Sequence, residues 1–346
     1  MATIQSYFSK FHDDIKLKNT EENAILKSKR EIIIKKLREK ISADAPSFTI
    51  TNQGSYAMKT GVKPLDGDYD IDVALLFEMS KNQFKPVEAK KWVYDALVGH
   101  TKEVKVKVPC VTVTYQKGEE PVFHVDLTVY ANVNSDNETY IAKGKINSLE
   151  QNKYWEISNP KRLINEIENR FTSGDERDQF RRIIRYLKRW KDIHFKEKGS
   201  GKPSGIVFTA CAMQYMTLYI KDAFTGEKAI NDLQALISLL EKILNNFTLN
   251  FNINTNQNEE RLKISLPVPP GNDLLEKMTN IQMSNFKAKL ESLLDVLTEV
   301  NAEPDIIEAT KLLNSVFGDS FPIATNEETA VAKRLAIATD SPSAKL

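Results

Sequence analysis

Three aspartates at alternate positions, Asp68, Asp70 and Asp72, run directly into five consecutive apolar residues in the segment DYDIDVALLF. Side chains on a strand alternate between faces, so Asp70 and Asp72 project together while Ile71 and Val73 point the other way. The unbroken run from Val73 to Phe77 reads as an interior strand covered on both faces. Two carboxylates held side by side repel each other unless a cation lies between them, and ionised oxygens are natural ligands of magnesium. A lone Asp-x-Asp pair is weak evidence, because most such pairs are surface turns. Asp66 and Asp68, flanking Gly67, read as turn residues of that kind.

A second strand repeats the logic. In PVFHVDLTVY, Phe123, Val125, Leu127 and Val129 share one face, and His124, Asp126 and Thr128 share the other. An acid inside an apolar strand is costly to bury without a partner. Three carboxylates drawn from two strands suit a pair of divalent ions about 3.5–4 Å apart, the arrangement that drives in-line nucleotidyl transfer. His124 reads as a structural neighbour of Asp126 and not as a ligand. Upstream, Gly54-Ser55 follows a short strand, Phe48 to Thr51. Glycine allows close backbone approach to a ligand, and a serine opening the next helix (SYAMKTG) offers a hydroxyl and free amides to phosphates.

Around these motifs the chain reads as a mixed α/β half followed by a mostly helical half. Helical spacing over Thr20 to Ile41 places Ile25, Ile32, Ile33, Ile34, Leu37 and Ile41 together, with Asn19 or Thr20 as the cap. A further helix is expected from Pro86 to Val98. One β-pattern runs through Val104, Val106 and Val108 to Val111 and Val113 with a break at Pro109, and another runs from Val122 to Tyr130. From Asn159 onward helices are expected over roughly 160–171, 175–196, 204–222, 228–246, 273–299 and 303–317. In the second of these, Phe180, Ile183, Ile184, Leu187 and Trp190 form the buried stripe, with Arg181, Arg185 and Lys188 on a neighbouring flank. NNFTLNFNINTNQNEE is expected to be an exposed loop, and the small, polar tail to be mobile.

Composition narrows the classes. The 346 residues suffice for two domains, and 48 basic against 47 acidic residues leave a net charge of +1. That balance argues against strong bulk binding of nucleic acid. Two cysteines, Cys110 and Cys211, cannot build a disulfide framework. The start lacks the apolar run of a secretion signal. The longest apolar stretch, Ile206 to Ile220, falls short of the roughly 20 residues a membrane span needs. The expected setting is the cytoplasm, with no membrane partner.

Taken together, QGSYAMKTG, DYDIDVALLF and FHVDLTVY resemble the DNA polymerase β-type nucleotidyltransferase superfamily. With the second half they resemble the bacterial CD-NTases, the cyclic GMP-AMP synthase-like, DncV-like enzymes of CBASS anti-phage systems. The resemblance implies an α+β fold: a polymerase β-like core, its mixed sheet flanked by helices and a long N-terminal spine helix, packed on a C-terminal helical domain with the active site in the cleft. It implies boundaries of 1–158 for the core, 159–322 for the helical domain and 323–346 for the tail. Asp70, Asp72 and Asp126 would be catalytic and would bind two magnesium ions, with manganese an alternative. Gly54 and Ser55 would hold the donor triphosphate. YLKRWK nominates Lys188 and KPSGIVF nominates Ser204 as further phosphate contacts, and ATKLLNSVFGDSFP resembles the family's closing helix. The implied product is a cyclic di- or trinucleotide made from nucleoside triphosphates, ATP foremost, with release of pyrophosphate. Accessory proteins of a defence operon are the implied regulators. A linear-product transferase, oligoadenylate synthase-like or RNA-tailing, is the alternative on the same core.

Overall fold

The computed structural model describes residues 4–17, 21–117, 120–196, 199–221, 225–253 and 256–328. In chain order the first part runs α1 (Ile4–Ile15), α2 (Glu21–Lys40), β1 (Phe48–Asn52), α3 (Gly54–Ala57), β2 (Tyr69–Phe77), α4 (Pro86–Leu97), β3 (Glu103–Val106), β4 (Val111–Lys117), β5 (Glu120–Ala131), β6 (Tyr140–Lys143), β7 (Tyr154–Ile157) and α5 (Pro160–Asn169). There follow α6 (Gly174–His194), α7 (Gly205–Tyr215), α8 (Asp232–Asn245), β8 (Thr248–Asn252), β9 (Gln257–Arg261), α9 (Asn280–Ala302) and α10 (Ile306–Phe317).

The described residues pack as two units. Leu17–Asn169 with Leu266–Asn272 form a sheet unit, and the segments up to Lys16, Arg170–Ser265 and from Asp273 onward form a helical unit. This departs from a single division after residue 158. Ion pairs from Glu168 to Lys59 (3.6 Å) and from Arg162 to Glu138 (4.0 Å) tie α5 to the sheet unit. The opening helix goes the other way. Its stripe of Tyr7, Phe8, Phe11 and Ile15 is buried, with Phe8 5.3 Å from the Tyr186 ring and Phe11 5.1 Å from that of Phe317.

In the sheet unit the strand order is β1-β2-β5-β4-β3, with β6 joined to β5 and β7 to β6. The sheet is mixed, as expected: β2 and β5 run parallel and the other pairs antiparallel. One face carries Ile71, Val73, Leu75 and Phe77 of β2 and Val125, Leu127 and Val129 of β5, all packed with Ile33 and Leu37 of α2 and Ala89 and Val93 of α4. At about 25 cal/mol per Å² of apolar area removed from water, this face fixes the strand register, since a one-residue slip would turn the aspartates inward. The opposite face begins with the acids and continues into a small apolar cluster of Ala74, Leu76, Tyr130 and Ile141.

Several expectations change. The first β-pattern folds back at Pro109 into the β3–β4 hairpin, with Lys107 N–H bonded to the Cys110 carbonyl. The asparagine-rich stretch contains a hairpin, β8–β9. Helix α7 stops at Tyr215, and α1, β6 and β7 are additional elements. The proposed caps Asn19 and Thr20 and most of the tail lie outside the described residues. Both cysteines are buried and unpaired, and burial pushes each thiol up to about 12. Among the described residues no helix is long and apolar enough to cross a membrane.

Candidate active site

The parallel pairing of β2 and β5 sets Asp72 directly opposite Asp126 and Asp70 opposite His124. One carboxylate oxygen from each of Asp70, Asp72 and Asp126 lies within 4.8 Å of the others. Among the described residues no other three His, Cys, Asp or Glu groups converge this way. Asp70 is exposed, whereas Asp72 and Asp126 are half-buried. Although solvent reaches Asp70, its carboxyl is hemmed in by protein. That desolvation, followed by the charges of Asp72 and Asp126, pushes it up to about 7, with Lys107 pulling the other way. Three clustered acids, one of them raised by desolvation and by its neighbours' charge, form a site short of positive charge, and hard oxygen donors match a divalent cation.

Neighbouring elements hold these acids in place. Thr112 lies opposite Asp126 across the β4–β5 ladder, and its hydroxyl donates to the Asp126 carboxylate. Lys107 brings its ammonium to 3.9 Å from the same carboxylate. The turn carrying Lys107 is pinned from beneath by Lys90, which has no exposed surface and donates to the carbonyls of Lys107, Val108 (2.9 Å) and Gly144 (2.7 Å). Such a buried ammonium is tolerable because carbonyl oxygens meet its N–H groups, and desolvation lowers it to about 8.

Gly54 touches the site directly. Its φ is +65°, and a Cβ built there would stand 1.8 Å from Asp72 Oδ2. The adjacent Gln53 N–H bonds to the Asp72 carbonyl (3.2 Å), and its side-chain oxygen accepts from the Tyr130 hydroxyl (2.9 Å). The helix expected over SYAMKTG is a single turn, Gly54–Ala57, closed where Thr60 N–H meets the Ser55 carbonyl at 2.9 Å. One turn has too few aligned peptides to build a helix dipole, so what Ser55 offers is its hydroxyl, 3.9 Å from where a Cβ on Gly61 would stand. Asp66 behaves as the expected turn residue, accepting from the Asp68 N–H at 3.1 Å. Asp68 does more: its carboxylate meets His124 Nδ1 at 2.7 Å and so engages that ring apart from the three acids.

In the helical unit Lys188 lies against Gly205, the residue that follows Ser204. Lys188 on α6 is 7% exposed, and a Cβ built on Gly205 would stand 3.2 Å from its Cε and 3.8 Å from its Nζ. Ser204 occupies the N-cap position of α7, yet its side chain makes no capping hydrogen bond. The preceding loop is clamped by Gln282 and Asn285, which donate to the carbonyls of Gly199 and Ser200, each at 2.9 Å. The flanking arginines are already engaged. Arg185 donates to His12 Nε2 at 2.9 Å, and burial followed by the Arg185 charge lowers His12 to about 4. Arg182 binds the buried Asp232, with Nε 2.6 Å from Oδ2 and Nη2 2.9 Å from Oδ1. Thr112, Lys107, Lys90 and Gln53 did not stand out in the sequence. Only the alternation in VTVTY hinted at Thr112, and its register against Asp126 was needed to use that hint.

Residues 48–130 match the family model of the cyclic GMP-AMP synthase DncV-like nucleotidyltransferase domain. A curated relative, the cyclic GMP-AMP synthase of Escherichia albertii, is 24% identical over 230 residues, covering 63% of this chain and 48% of its own length. The chain thus spans about half the length of that relative. The Bradyrhizobium diazoefficiens CD-NTase CdnG, solved with GTP, superposes with a TM-score of 0.66 at 14% identity, covering 95% of this chain and 98% of its own. Escherichia coli MS115-1 CdnC, solved with ATP, gives 0.64 at 16% identity, covering 92% and 98%.

Proposed function

We propose that this chain, a bacterial CD-NTase by its fold and by its DncV-like nucleotidyltransferase domain, is a magnesium-dependent enzyme that joins nucleoside triphosphates into a cyclic di- or trinucleotide and releases pyrophosphate. The observation that carries the reading is the meeting of Asp70, Asp72 and Asp126 within 4.8 Å, on a domain whose family is named for a cyclic GMP-AMP synthase. These three carboxylates would hold two magnesium ions, with manganese a substitute. Bound there, such ions neutralise triphosphate charge and ease ionisation of the attacking hydroxyl.

The chain's own residues do the positioning. Asp126, steadied by Thr112, assists ionisation of the acceptor ribose hydroxyl. Gly54, lacking a side chain, leaves room for the Asp72 carboxylate to stand against the backbone, and the Ser55 hydroxyl donates to a phosphate. Lys188 and Ser204, neighbours at the start of α7, supply a cation and a hydroxyl free of capping duty to the donor triphosphate. ATP is the first substrate to test, since CdnC was solved with it, and GTP the second, since CdnG was solved with that nucleotide. The resemblance to CBASS enzymes supports a role in anti-phage defence, exercised in the cytoplasm under accessory proteins of the same operon.

Purified protein given magnesium and the four ribonucleoside triphosphates should release pyrophosphate and yield a phosphatase-resistant product with a cyclic mass. Pyrophosphate accompanied only by phosphatase-sensitive linear species would replace the cyclase with a linear-product transferase.

A further inference from the structure

Residues 247–253, FTLNFNI, contain no charged residue, proline or glycine and alternate between apolar and polar side chains. Among the described residues, β8 in this segment pairs with β9 alone, which leaves one of its edges without a ladder. Leu249 is 68% exposed, Phe251 60%, and Ile253, the next position of the alternation, 84%. Thr248 and Asn250, on the other face, are exposed as well. β8 is thus open to water on both faces, and a lone two-stranded hairpin is only marginally stable. Proteins normally protect such edges with lysines, prolines or bulges. The partner strand is protected: Glu259, Glu260 and Arg261 lie on β9, and Lys287 closes on Glu260 at 2.7 Å. β8 has no protection of that kind.

We infer that the β8 edge is the contact between two copies of this chain, paired antiparallel about a twofold axis at Phe251. Charge selects this occupant. In an isologous contact each residue meets its own copy or its mirror position, so a charge near the axis meets its like. FTLNFNI has none to repel, whereas pairing through β9 would set Glu259 and Glu260 against their copies. With the axis at Phe251, the register puts Phe251 opposite Phe251 and Leu249 opposite Ile253. The apolar side chains of both copies then gather on one face of a four-stranded sheet. A slip of one residue would set them against asparagines, which disfavours that register.

Sedimentation velocity of the full chain over a rising concentration series tests this. Wild type should pass reversibly from monomer to dimer. Phe251→Lys and Phe251→Glu each set like charges face to face and should each raise the dissociation constant at least about tenfold. At concentrations where wild type is still monomeric, both variants should unfold at its temperature, because Phe251 is largely exposed in the single chain. Mixed in equal amounts, the two variants should recover the dimer, since an ammonium now faces a carboxylate. A wild type that stays monomeric throughout overturns the inference, including one that associates only with some other protein. A mixture that fails to associate also overturns it.

Discussion

With φ at +65° and Asp72 Oδ2 standing 1.8 Å from where a side chain would begin, Gly54 leaves no room for any other residue. Gly54→Ala should displace the Asp72 carboxylate and lower kcat on the order of a hundredfold, the usual result of misplacing a reacting group by about 1 Å. Pyrophosphate release measured beside thermal unfolding would check this, the chain remaining folded. Asp70 supports a pH prediction. Its carboxyl is raised to about 7 in the folded chain, so between the ordinary carboxylate value and 7 the folded state holds a proton that the unfolded state has lost. Stability from this group is therefore greatest at low pH and falls as pH rises through 7. A divalent cation reverses the penalty. Magnesium should raise the unfolding temperature more at about pH 8 than at about pH 6, and Asp70→Asn should flatten that difference.

Among the elements, the interior half of β2, Val73 to Phe77, was legible because an unbroken apolar run follows alternating acids. The face of Asp126 was legible for the same reason. Its distance from Asp72 was not, because alternation fixes faces and leaves strand order and register open. The same gap hid Thr112 and Lys107, which matter only through a ladder and a turn. The asparagines of the β8–β9 segment outweighed the alternation of Leu249 and Phe251, and β6 and β7 are too short, at four residues each, to show a period. By contrast, α1 carried a readable stripe in Tyr7, Phe8, Phe11 and Ile15. The start of α7 yields a test at this scale. A serine that caps its helix contributes about 1 kcal/mol, but Ser204 makes no such bond. Ser204→Ala should leave urea unfolding within about 0.5 kcal/mol of wild type. The KM for the nucleoside triphosphate should nevertheless rise severalfold.

For the whole molecule, superposition over 95% of the chain at 14% identity means that the same fold is reached with mostly different side chains. Each unit assembles its own share of the expected residues, the three aspartates on β2 and β5 and the Lys188–Ser204 pair where α6 meets α7. The central claim is that the aspartates gather to hold divalent ions. Titrating manganese into the protein with a non-hydrolysable ATP analogue, followed by electron paramagnetic resonance, tests it most directly. Wild type should take up about two ions per chain, and Asp70→Asn with Asp72→Asn should take up none while unfolding no lower than the metal-free wild type. Undiminished manganese binding by that variant would contradict the account.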